Sequence, residues 1–143
     1  MPILEVCKRR LKDGVSATNP SLLKVFPEIR SATKTNCVSF SGIESPSTFY
    51  ILGVWPSIAT HDAFVAAPET PAVMAPLDAL CDFERVEFMN FDSIESLPYK
   101  APVMAVTRAF LKNGNHPEEY YRKISDLKAP IEGETNLYPC VFS

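Results

Sequence analysis

Residues 102 to 114 repeat residues 2 to 14. Pro102-Val103-Met104-Ala105-Val106-Thr107-Arg108-Ala109-Phe110-Leu111-Lys112-Asn113-Gly114 shares proline, valine, leucine, lysine and glycine with Pro2 to Gly14 at matching places. Each copy is an apolar, strand-like run that stops at a glycine turn. A helix opened by proline follows each one, at Asn19-Pro20 in the first and at His116-Pro117-Glu118-Glu119 in the second. The echo continues to Cys140-Val141-Phe142, which matches Cys37-Val38-Ser39-Phe40. A strand-turn-helix unit buries its apolar faces only by sharing a sheet with other strands, so the repeat limits the chain to layered folds of sheet and helix.

Between the copies the elements alternate in a definite order. Ile3 to Leu11 reads as a strand. Leu22, Leu23, Phe26 and Ile29 follow at helical spacing, with a kink or a split into two short helices expected at Pro27, which lacks a backbone donor. Cys37 to Phe40 and Phe49 to Trp55 flank the turn-rich Ser45-Pro46-Ser47 as a hairpin. Along the second strand Phe49, Ile51 and Trp55 share one face, while Tyr50, Leu52 and Val54 share the other. Neither face is polar, so both need cover. Pro56-Ser57 opens a helix from Ile58 to Ala67, and Pro68 and Pro71 separate it from a short helix over Val73 to Leu80. Cys81 to Phe91 closes as a strand with Phe83, Met89 and Phe91 expected on one face and Val86 and Phe88 on the other. The result is an α+β chain whose residues 1–97 form a ferredoxin-like β-α-β-β-α-β unit. Residues 98–143 form a partial second repeat of strand, helix and short strand, packed on the first unit or on a partner chain, since an unpaired strand edge invites aggregation.

Composition narrows the partners. With 46% hydrophobic and 22% charged residues the chain can build a core, and a net charge of −3 with dispersed basic residues disfavours nucleic acid and acidic membranes. No stretch reaches the roughly 18 apolar residues of a membrane span, and the first residues lack the pattern of a secretory leader. The expectation is a soluble, cytoplasmic protein. The four cysteines are widely separated without a CxxC pair and read as buried free thiols; with only two histidines, no ligand spacing supports a metal site. GxSxG, GxGxxG, P-loop and HExxH motifs are absent from the sequence.

Phe49-Tyr50-Ile51-Leu52-Gly53-Val54-Trp55-Pro56-Ser57-Ile58-Ala59-Thr60-His61-Asp62-Ala63-Phe64, followed by Val86-Glu87-Phe88-Met89-Asn90-Phe91, resembles the strand, tryptophan, helix and closing strand of the antibiotic-biosynthesis-monooxygenase domain, especially its fungal forms. The resemblance implies a dimeric α+β barrel, in which two sheets pack face to face, and chemistry without a cofactor. It also implies a range of activities: oxygenation of quinol-like or anthrone-like aromatics, polyketide cyclisation, decarboxylation, haem breakdown, and in some members no catalysis. In the aromatic monooxygenases of the family an asparagine, a tryptophan and a tyrosine hold the substrate. The matching places here are Ile51, Trp55 and His61. Trp55 agrees, whereas Ile51 lacks the amide and His61 stands where a phenol is expected.

His61 falls one turn after Ile58 and one turn before Phe64, which turns it inward, where an imidazole can exchange protons with an enolisable substrate. The alternative is a helix-start histidine bonded to a backbone carbonyl. Tyr50 is a second catalytic candidate if its hydroxyl enters the same cavity. Trp55, Phe49, Phe64, Phe88 and Asn90 are candidates for lining it. Lys8, Arg9 and Arg10 read as a solvated strand end, and His116 as a cap neighbour. The expectation is a small cofactor-independent enzyme, a homodimer, acting on a hydrophobic aromatic or polyketide-like molecule by cyclisation, proton transfer or oxygenation in secondary metabolism. The other reading is a non-catalytic binding or stress-related interaction protein of the same fold.

Overall fold

The computed structural model describes residues 1–90 together with 103–106, 110, 112, 118–120, 122, 123 and 126. The chain divides into two units, Met1–Ile94 and Glu95–Ser143.

In the first unit the alternation of Ile3, Leu4, Val6, Cys7 and Leu11 with partly exposed residues produces strand β1 (Ile3–Leu11). Asn19 then caps helix α1 (Pro20–Thr33): its side-chain oxygen accepts the Ser21 N–H at 2.8 Å, and Pro20 sits where a missing donor costs nothing. Of the two expectations at Pro27, a kink or a split, the split does not occur: α1 runs through Pro27 as one helix. Pro27 is exposed and so is Leu23, whose carbonyl would have met the missing N–H, so the lost bond falls on the solvent side. Leu22, Val25, Phe26 and Ile29 form the buried stripe, and Leu23 is outside it.

Strands β2 (Val38–Ser41) and β3 (Thr48–Trp55) form the expected antiparallel hairpin, with Val38 opposite Leu52 and Phe40 opposite Tyr50. Its turn requires glycine at position 42, because a Cβ there would lie 2.6 Å from the Ser45 carbonyl oxygen. Ser57 caps helix α2 (Ile58–Ala66) by accepting the Thr60 N–H at 3.2 Å; helix α3 (Thr70–Asp78) follows, and strand β4 (Cys81–Asn90) closes the unit. The sheet is antiparallel in the order β2-β3-β1-β4, the ferredoxin-like arrangement expected from the element order.

One expectation about β4 fails. The register shifts between Lys8 and Arg9, so that Arg85 lies opposite Lys8 but Phe83 lies opposite Arg9. The extra residue, Glu84, is a β-bulge and reverses the alternation on either side of it. Phe83 therefore shares a face with Val86 and Phe88, and Met89 lies on the other. On the helix-covered face the core gathers Leu11, Phe49 and Cys81 from the sheet, Leu22, Val25, Phe26 and Ile29 from α1, and Leu77 from α3. The opposite face carries Leu4, Val6, Phe40, Tyr50, Leu52 and Val54.

In the second unit Glu118–Tyr120, Arg122, Lys123 and Asp126 are helical, in agreement with the proline-opened helix, and Lys123 pairs with Glu119 at 2.8 Å. Val103 to Val106, expected in the repeated strand, lie in no regular element. Val103 and Val106 are exposed, and neither has a ladder partner among the described residues. Phe110 and Lys112 of the same run are exposed and likewise lie in no regular element, while Phe91, the remaining residues of that run, Cys140 and the closing strand lie outside the described residues.

Candidate functional site

Cross-strand register decides which side chains meet. Trp55 pairs with Ile3, Gly53 with Glu5 and Ile51 with Cys7; across the other edge of β1, Phe88 pairs with Glu5 and Asn90 with Ile3. Directly paired residues share a face, so Trp55, Glu5, Phe88 and Asn90 all look toward the helices. The Ser57 cap starts α2 immediately after β3, which places His61 over this end of the sheet.

There the aromatic rings assemble. The His61 ring meets Trp55 edge-on, with centroids 5.2 Å apart and planes at 87°, and meets Phe88 at 4.7 Å and 68°. Phe64, one helical turn further on, lies 5.6 Å from the Trp55 ring. Trp55 is only 3% exposed, while Phe88 at 38% opens the cluster to solvent. Inside it the Trp55 Nε1–H donates to Glu5 Oε2 at 2.6 Å. His61 Nδ1 stands 3.0 Å from Asp62 Oδ1. With the proton on Nδ1 donated to Asp62, Nε2 is left as an acceptor, the tautomer a general base requires.

The structure thus brings together Trp55, His61, Phe64 and Phe88. Asn90 lies on the same face, exposed at the end of the strand beyond Phe88. Two expectations are corrected. Tyr50 is on the opposite face, across from Lys8 and Phe40, because it is an odd number of residues from Trp55; its hydroxyl cannot work with His61. Phe49 is on the right face but at the far end of β3, buried against Phe26 with ring centroids 5.8 Å apart.

Sequence reading missed Glu5 and Asp62. Glu5 was detectable as a lone carboxylate in the apolar first half of β1, between Ile3-Leu4 and Val6-Cys7. Arg9, assigned to a solvated strand end, is 5% exposed: its Nη1 donates to Asp78 Oδ1 at 2.6 Å, its guanidinium lies 5.9 Å from the centre of the Phe83 ring, and its Nε has no partner among the described residues. Burial alone would pull the Arg9 pKa down, but the hydrogen bond to Asp78 and the neighbouring groups hold it above its ordinary value. The signal for this pairing, a lone acid at Asp78, is 69 residues away in the chain.

A cavity of about 500 Å³ lies elsewhere, lined by Lys12, Gly14, Ser16, Thr18, Ser41 and Pro46 among others, none of them a residue of the aromatic cluster. Among the described residues no three His, Cys, Asp or Glu side chains come together as metal ligands, and no helix is long and apolar enough to cross a membrane.

No protein-family model and no curated protein matches the sequence. Solved structures do. A protein named as an antibiotic biosynthesis monooxygenase from Chloroflexus aurantiacus superposes with a TM-score of 0.51 at 18% identity, over 65% of this chain and 95% of that one. SnoaB, a cofactor-independent oxygenase from Streptomyces nogalater, gives 0.52 at 15% identity, over 68% and 97%. A Bordetella bronchiseptica protein, again named as an antibiotic biosynthesis monooxygenase, gives 0.55 at 14% identity, over 64% and 98%. The ferredoxin-like fold of these proteins is the fold of this chain.

Proposed function

We propose that this protein is a cofactor-independent enzyme of the antibiotic-biosynthesis-monooxygenase kind, of the fungal form, that binds a hydrophobic aromatic or polyketide-like molecule against Trp55 and Phe88 and moves a proton through His61. The observation that carries this reading is the placement of His61: its ring is held between Trp55 and Phe88, and its Nδ1 stands 3.0 Å from the Asp62 carboxylate, so that a proton on Nδ1 would leave Nε2 as the acceptor. Removal of a proton from a phenol or an activated C–H creates an electron-rich phenolate or enolate, and such an anion is common to cyclisation and to attack on dioxygen. The likeness in fold to SnoaB supports the general kind of chemistry, while the substrate and the choice between cyclisation, proton transfer and oxygenation are part of the proposal.

Trp55 is the sole tryptophan, so its fluorescence reports ligand binding directly. Titration with hydroxylated polycyclic aromatics should quench it saturably, and oxygen uptake or a cyclised product should accompany binding. A specific observation favours a second reading, a non-catalytic dimeric binding protein: His61 and Phe64 close onto a Trp55 that is 3% exposed, as in a filled core. An emission spectrum indifferent to every such ligand would favour that reading over the enzyme.

A further inference from the structure

Glu5 is the carboxylate that β1 sends to the helix-covered face beside Trp55. Register sets it between Gly53 of β3 and Phe88 of β4, and its Oε2 accepts the Trp55 indole N–H at 2.6 Å. The indole is 3% exposed, so this N–H has little access to water, and a bond from a neutral donor to a carboxylate is stronger than one between neutral groups. Among the described residues Glu5 pairs with no cation, which leaves the indole as its hydrogen-bond partner. The room around the bond is narrow. A Cβ at Gly53, the residue opposite Glu5, would stand 3.9 Å from Trp55 Nε1 and 3.6 Å from Thr35 Oγ1, so a methyl group would fill the space and a larger side chain would press on the bond.

We propose that Glu5 is a positioning residue: it grips the indole N–H of Trp55 and so fixes the ring plane against which His61 works. The inference rests on the reading of Trp55 and His61 as the functional site. With its N–H engaged, Trp55 has no hydrogen bond to offer a ligand, and polar recognition falls to His61 Nε2.

The single tryptophan makes the bond visible without any substrate. Excited indole shifts electron density away from its pyrrole nitrogen, so a carboxylate at Nε1 stabilises the excited state. In Glu5→Gln and in Glu5→Leu the emission should move to shorter wavelength. Glu5→Gln keeps an acceptor and should keep the near-ultraviolet dichroism of an ordered indole; Glu5→Leu should lose it. On a turned-over substrate, Glu5→Leu should lower kcat by up to about 100-fold with a smaller effect on KM, as misplacement of a working group does, and Glu5→Gln should recover most of the loss. Emission and dichroism of Glu5→Leu identical to those of the unsubstituted protein would overturn the proposal, as would an unshifted Glu5→Gln if the leucine variant does not fold. Spectral shifts as expected, in a protein that turns over none of the aromatics tried, would uphold the role of Glu5 and count against the enzymatic reading alone.

Discussion

The His61 imidazole stands perpendicular to the Trp55 indole, 87° between planes, with its other side on Phe88. The contact serves packing and chemistry alike, and a substitution separates the two. His61→Ala should cost about 1 to 3 kcal/mol of stability, since each aromatic edge contact contributes roughly 0.5 to 1.5 kcal/mol. It should also lower turnover by about 10² to 10⁴, the usual contribution of a positioned acid or base. Melting temperature and rate measured on the same variant give the answer. A destabilised protein with unchanged kcat would assign His61 to packing only.

Burial pushes the Cys7 thiol up to about 11 from an ordinary 9.0, and pushes Cys37 and Cys81 up as well. A thiol whose folded pKa exceeds its unfolded one holds its proton longer in the native state. Its stabilising contribution is therefore full below about pH 9 and is lost as pH rises through about 11. For Cys7 the loss is roughly 2 to 3 kcal/mol. Urea unfolding between pH 8 and pH 11 should show stability falling across this range, with a smaller fall in Cys7→Ala. The three thiols, free and buried, should resist thiol reagents until the chain unfolds.

The order of elements, the hairpin and the faces of β3 were legible because each is a local pattern of alternation, caps and turns. His61, Trp55 and Phe64 were legible for the same reason, since β3 and α2 adjoin in sequence. The faces of β4 were not, because the bulge at Glu84 depends on pairing with β1 and no residue there announces it. Tyr50 shows a different limit. Alternation already placed it opposite Trp55, but only the position of the helices shows which face holds the site. Arg9 and Glu5 look like ordinary strand charges until Asp78 and Trp55 are brought to them from 69 and 50 residues away.

Arg9 supplies a test of that long-range pairing. Its guanidinium is 5% exposed, and the partner Asp78 is half-exposed on α3, whose last turn is held a second time by Lys12 Nζ donating to the Asp78 carbonyl at 2.6 Å. Asp78→Asn should cost about 1 to 3 kcal/mol by leaving a buried cation poorly compensated. Arg9→Met, which replaces the pair's buried half with an apolar side chain of similar length, should be near neutral and should cancel most of the cost of Asp78→Asn in the double variant. Additive losses in a urea double-mutant cycle would show that the two residues act separately.

Residues 98–143 are proposed to cover apolar surface of the first unit or of its partner. A chain ending at Leu97 should then melt lower, by several kcal/mol in stability, and bind a hydrophobic dye, as expected when a strand edge and a helix face lose their cover. A soluble, equally stable truncated chain would make the tail an accessory.

The sheet face turned away from the helices divides into two halves. Toward one end lie Leu4, Val6 and Leu52, buried already in the single chain, with the half-buried Val38, Phe40, Tyr50 and Val54 and with Glu87 opposite Val6; toward the other, Lys8, Arg10, Asp82 and Glu84 form ion pairs at 2.9 to 4.0 Å. A homodimer, burying above roughly 2,000 Å² in total as obligate dimers do, remains the expectation raised by a strand pattern with two apolar faces. Light scattering at micromolar concentration should give twice the chain mass, and the dimer should persist in high salt because its core is apolar. Val54→Arg, at a half-buried place in the apolar half, would set an unpaired cation into that core and should produce monomer or aggregate. A monomeric mass for the unsubstituted protein, with the fold intact, would contradict the dimer.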